Sequence, residues 1–249
     1  MRIAALYDIH GNLPALEAAL DDVRRAQVSR LVVGGDVLPG PMPRECVDRL
    51  LGLDVPVDFI RGNGDRVVLA QLQGHEPAEV PEQFRDDIRW TARQLTAAHQ
   101  KILARWPAAI QLAIEGIGTV LFCHASPRND TDIFTGATPE ERLEPLFSGV
   151  NADVVICGHT HMQFDRMIGP VRVINAGSVG MPFGDPGAYW LLLGPKIELR
   201  KTKYDLHRAA ELIPQTGYPH ADYFAEKSIL SPPSRDEMLA LFERAVPQP

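Results

Sequence analysis

The chain of 249 residues has only three cysteines, no long apolar run and no excess of positive charge. Each shortage closes off a class of function. Cys46, Cys123 and Cys157 are an odd set without a C-x-x-C pair, so a disulfide framework is not expected. Soft metal ligands or a nucleophile are the alternatives, but Cys123 and Cys157 end β-like runs and read as small buried apolar residues. No run approaches the roughly 20 apolar residues of a membrane span. The N-terminal apolar stretch is interrupted by Asp8 too soon for a signal peptide, which makes the cytoplasm the expected compartment. Lysine and arginine total 25 against 32 acidic residues, a net charge of −7. That balance, with no basic stripe, argues against long nucleic acid as a partner.

What is present suits a folded globular protein: 45% hydrophobic and 23% charged residues. The first 60 residues alternate strand and helix. Ile3 to Tyr7, Leu31 to Val33 and Val55 to Ile60 are apolar runs; helical spacing follows Asn12, a plausible N-cap, and recurs over 43–52. This is the rhythm of a parallel sheet with helices on its faces. Residues 84–105 read as one longer helix. Strands are then expected at 110–115, 119–123, 154–157, 163–168, 171–175, 188–193 and 196–202, with one helix from about 139. The expected organisation is a domain over 1–203 and a helical extension over 204–249, with helices at 205–214 and 235–245, packed on the domain or capping it.

Five apolar runs end in residues able to hold a metal ion: Asp8 and His10, Asp36, Asn63, His124, and His159 with His161. In open α/β sheets, ligand sites form outside the carboxyl ends of strands. Seven nitrogen and oxygen donors suit Mn, Fe, Zn, Ni or Co. Two divalent ions sharing a carboxylate would use them all. They would leave the site locally positive and attractive to phosphate.

Asp8-x-His10, Gly35-Asp36, Gly62-Asn63, His124 and Gly158-His159-x-His161, in this order, resemble the calcineurin-like metallophosphoesterase superfamily, as does the turn Asn175-Ala176-Gly177-Ser178. The stretches 8–17 and 124–127 are similar to a bacterial branch of small phosphodiesterases and dinucleoside-tetraphosphatase-like proteins. The resemblance implies a four-layer αββα sandwich of two mixed sheets flanked by helices. It implies that Asp8, His10 and His161 hold one metal, that Asn63, His124 and His159 hold a second, and that Asp36 bridges them. Arg61 stands where some relatives have a phosphate-contacting arginine, an ordinary surface ion pair being its alternative.

The expected activity is metal-dependent hydrolysis of a small phosphorylated, nucleotide-like substrate, with manganese favoured. A bridging water, acidified by two cations, would attack phosphorus. The alternative is a non-catalytic binding scaffold of the same fold; the oligomeric state is open. The sequence departs from the family most at Gly64, where many relatives carry a histidine thought to protonate the leaving oxygen. Good leaving groups should therefore be favoured and alkyl esters slow. His75 is a candidate substitute acid, against the plainer reading of an exposed loop histidine. Tyr7 replaces a commoner serine and Ala125 a commoner glycine.

Overall fold

A computed structural model describes residues 2–245. Two mixed five-stranded sheets pack face to face. The first has β1 (Ile3–Leu6) parallel to β2 (Arg30–Val33), β2 parallel to β3 (Val57–Phe59), and an antiparallel edge formed by β9 (Ala188–Leu193) and β10 (Ile197–Thr202). The second runs in the order β4 (Ala109–Ile114), β5 (Gly118–Cys123), β6 (Val154–Cys157), β8 (Val171–Asn175), β7 (Phe164–Ile168). In it β5, β6 and β8 are parallel.

Side chains alternate across each strand. In β1, Ile3 and Ala5 face the second sheet, where Phe122, Ile156 and Ile174 meet them, whereas Ala4 and Leu6 face helices. Both faces of the central strands are covered, so the sequence shows unbroken apolar runs rather than alternation. Outside the first sheet lie α1 (Leu13–Arg25), α2 (Pro43–Leu51), α3 (Asn63–Leu72), α4 (Arg85–Gln94) and α5 (Ala97–Leu103); outside the second lies α6 (Glu140–Phe147). The layers are therefore αββα, as expected. All three cysteines are buried and free, and burial pushes the Cys123 thiol up to about 12.

The single helix expected over 84–105 is broken in two. Leu95 is extended, and Thr96 caps α5: its hydroxyl accepts the His99 N–H at 3.3 Å, while His99 Nδ1 accepts the Thr96 N–H at 3.2 Å. A local cap overrides a continuous apolar period.

After β10 come α7 (Leu206–Leu212), α8 (Ala221–Phe224), a π-helical turn over Ala225–Leu230, and α9 (Arg235–Ala245). Only the first and last of these were expected from periodicity. Ile213, Tyr218, Phe224 and Ile229 form a cluster with Met42, Trp90 and Met181 of the sandwich. Among the described residues, no helix is long and apolar enough to cross a membrane.

Candidate metal centre

The five chemistry-bearing segments leave the carboxyl ends of β1, β2, β3, β5 and β6. Among the described residues, six non-glycine residues have positive φ. Five of them are candidate ligands: Asp8 (54°), His10 (47°), Asp36 (50°), His159 (67°) and His161 (56°). Left-handed backbone at such residues is strained, and strain of this kind collects where surrounding structure holds a functional geometry. The holding contacts are visible. Asp8 N–H donates to Gly35 O at 3.1 Å and His10 N–H to Asp36 O at 2.9 Å. Ser178 Oγ donates to Asp8 O at 2.7 Å. Asn175 Nδ2 donates to Gly158 O at 2.6 Å and to Thr160 Oγ1 at 3.1 Å, tying the Asn175–Ser178 turn to the His159–His161 loop.

Asp8, His10 and His161 present ligand atoms within 4.8 Å of one another, and so do Asp8, Asp36 and His124. Asp8 Oδ1 lies 3.3 Å from His161 Nε2 and 3.9 Å from both His10 Nε2 and His124 Nε2. Asp36 Oδ2 lies 3.7 Å from His10 Nε2 and 3.5 Å from His124 Nε2. Both carboxylates therefore stand between imidazoles. Asn63 Oδ1 is 3.0 Å from His124 Nε2. The His159 ring meets the His124 ring edge-on, centroids 5.2 Å apart, and its backbone N–H donates to Asp8 Oδ2 at 2.9 Å.

Two of the rings are oriented from behind. His124 Nδ1 faces Gly34 O at 3.0 Å, and His161 Nδ1 faces Met181 O at 2.7 Å. A carbonyl can only accept, so each Nδ1 carries the proton and each Nε2 turns toward the cluster, as in metal-ligating histidines. Asp8 Oδ1 is buried without a hydrogen bond, and His10 Nε2 is 3.3 Å from His161 Nε2. Buried polar atoms converging without partners need a positive charge among them. Protons supply it when no cation does. Burial pulls the His124 pKa down, but Asp36 and Asp8 prevail and push it up to about 10. His161 is raised by Asp8 against burial in the same way. Burial and the neighbouring His124 push His159 down to about 4, so it stays neutral and free to donate a lone pair. The donor set of carboxylate, imidazole and amide fits divalent first-row metals.

Arg61 lies two residues beyond β3, half-buried, with its backbone N–H on Pro107 O at 2.8 Å and no side-chain partner among the described residues. His75 lies elsewhere. It is exposed beyond the C-terminal end of α3, whose N-terminus carries Asn63. At roughly 1.5 Å per residue that helix separates the two by well over 10 Å. A Cβ at Gly64 would run into Leu38 O and lie 2.9 Å from Pro39 Cδ, so this backbone leaves no room for a side chain there. The Gly64 N–H donates to Asp36 Oδ1 at 2.7 Å.

Asp65 escaped notice in the sequence. It is wholly buried and accepts the backbone N–H groups of Asp36 (2.8 Å), Leu38 (3.0 Å) and Gly62 (3.0 Å). Its only signal was an acid three positions after the helix-capping Gly62. His10 also borders a cavity of about 190 Å³, whose walls include Phe84, Ile88 and Met181 and, from the tail, Tyr218 and Phe224.

The calcineurin-like phosphoesterase superfamily domain matches residues 1–194. The phosphodiesterase YfcE of Escherichia coli K12 is 26% identical over 202 residues, covering 77% of this chain and 87% of its own. A metallophosphoesterase structure from Sphaerobacter thermophilus superposes with a TM-score of 0.71 at 26% identity, covering 91% of this chain and 97% of the other. A hypothetical protein from Pyrococcus horikoshii shares the fold with a TM-score of 0.81 at 20% identity, covering 94% and 99%. With most of its length matched by the family and an Asp–His cluster at the strand ends, the chain belongs to the calcineurin-like phosphoesterase superfamily and is a hydrolase of phosphoesters.

Proposed function

We propose that the protein is a phosphodiesterase that uses two divalent cations, with manganese favoured, on small nucleotide-like substrates. The observation that carries this reading is the buried Asp8 Oδ1, which has no hydrogen bond and faces three imidazole nitrogens within 3.9 Å. Asp8, His10 and His161 would hold one ion, and Asn63, His124 and His159 the other, with Asp36 between them. The ions would neutralise charge on the phosphoryl oxygens and supply hydroxide at neutral pH. The chain does the positioning. Gly34 O and Met181 O fix two rings, and the Gly64 N–H fixes the Asp36 carboxylate. Arg61, unpaired beside Asn63, is suited to a non-bridging phosphate oxygen.

Metal content and turnover of bis-p-nitrophenyl phosphate with added manganese test the reading in wild type and Asp36→Asn. Wild type should bind two ions and turn over. Asp36→Asn should keep its circular dichroism spectrum and lose about 100-fold or more in kcat. Wild type without bound metal or turnover would overturn the proposal and leave a binding scaffold of the same fold.

A further inference from the structure

Gly64 has no side-chain acid to give a proton, and Leu38 O fills the space a side chain there would need. Pro39, which abuts Gly64, also lines the cavity beside His10, and His220 from the tail lines the same cavity. His220 Nδ1 lies 2.8 and 2.9 Å from the two oxygens of Asp87, a carboxylate buried on α4. The contact fixes Nδ1–H as the donor to Asp87. It leaves Nε2 without a protein partner among the described residues, on a side chain that is 44% exposed.

The other histidines are committed or distant. Four belong to the metal cluster. His99 has both ring nitrogens engaged, by the Thr96 N–H and by Asp48 at 2.9 Å. His75 lies beyond the far end of α3, and His207 is exposed on α7. The cavity that His10 and His220 both line is walled by Phe84, Ile88, Tyr218 and Phe224, so it suits a flat apolar body. The tail segment that presents His220 continues into the π-helical turn whose Ser228 also reaches the cavity, and such turns recur at functional sites.

We propose that His220 is the proton donor to the leaving group, which sits in this aromatic cavity, and that Asp87 is its positioning residue. The proposal rests on the phosphodiesterase reading for the reaction itself. Hydrolysis forms a bond from a water oxygen to phosphorus and breaks the bond from phosphorus to the leaving oxygen. The Nε2 proton of the His220 imidazolium passes to that oxygen as it departs, and the neutral ring takes a new proton from water. The ionisable groups that share the cavity with the ring are Asp87, Tyr218, Tyr223 and His10.

The test compares phenyl and p-nitrophenyl phosphodiesters in wild type, His220→Gln and Asp87→Asn, all loaded with manganese. A poor leaving group needs the proton and a good one does not. His220→Gln should lower kcat on the phenyl ester about 100-fold and on the p-nitrophenyl ester less than about threefold, with metal content unchanged. Asp87→Asn should lower kcat on the phenyl ester about tenfold and leave the p-nitrophenyl ester within about threefold, because the ring loses the carboxylate that orients it.

A second readout needs no turnover. p-Nitrophenol added to the metal-free protein should shift the ring proton signals of His220. Equal losses on both esters, or unshifted ring signals, would overturn the proposal while p-nitrophenyl turnover leaves the phosphodiesterase reading standing. Absence of all wild-type turnover would remove that reading instead.

Discussion

The carboxylate of Asp65 accepts the backbone N–H of Asp36 at 2.8 Å, so an acidic residue of the cluster is itself held by a buried carboxylate outside it. Asp65→Ala would leave three buried N–H donors without partners. We expect a loss of about 3 kcal/mol in urea unfolding, together with weaker metal retention on dialysis. A variant as stable as wild type would show that water or movement replaces the carboxylate.

The metal-free protein should lose stability above pH 6.5. An unfolded histidine releases its proton near 6.5. In the fold burial opposes the charge on His124, but Asp36 and Asp8 keep it protonated to about pH 10. That contribution is complete below 6.5 and disappears as pH rises through 10. Asp65, pushed up to about 8 by burial and the Asp36 charge, adds a loss of the same sign. Urea midpoints of chelator-treated protein should fall between pH 6.5 and 9.5. Metal-loaded protein should fall less, since the ion has already displaced the proton. A metal-free midpoint that stays level or rises would contradict this.

Tyr7 and Gly34 form one unit. The Tyr7 hydroxyl donates to Ile156 O at 3.0 Å, and a Cβ at Gly34 would sit in the Tyr7 ring. Gly34→Ala alone should destabilise by about 3 kcal/mol, and Tyr7→Ser alone by a similar amount through the space it leaves. The double variant should lose clearly less than the two together, which a double-mutant cycle in urea would measure. Strict additivity would separate the two residues.

Arg61→Ala should raise KM for bis-p-nitrophenyl phosphate about tenfold, the loss of one charge-assisted hydrogen bond. It should leave metal content unchanged and kcat within about threefold. An unaltered KM would assign Arg61 to the surface.

How much of this could be seen beforehand depended on where burial is two-sided. The runs at Ile3–Leu6 and Val154–Cys157 stand out because both faces are covered, and the candidate ligands Asp8 and His159 follow two residues beyond their ends. The segment from Gly217 to Leu230 did not stand out: it packs in short turns through Tyr218, Phe224 and Ile229, a spacing with no single period. The break at Leu95 and Thr96 was hidden because one hydroxyl cap decided it against a long apolar repeat. Asp65 looked like any acid in a first helical turn, and only the three N–H groups around it reveal its task. The Asp87–His220 pair joins residues 133 positions apart, which no local pattern announces.

The carbonyl that orients His161 belongs to Met181, and the hydroxyl that steadies Asp8 belongs to Ser178. On a ribosome, Asp8 and His10 are therefore made early, but the contacts that set their cluster cannot form until the segment from Ser178 to Met181 has followed. The cluster is thus a late product of synthesis, assembled only when the two ends of this long span have met.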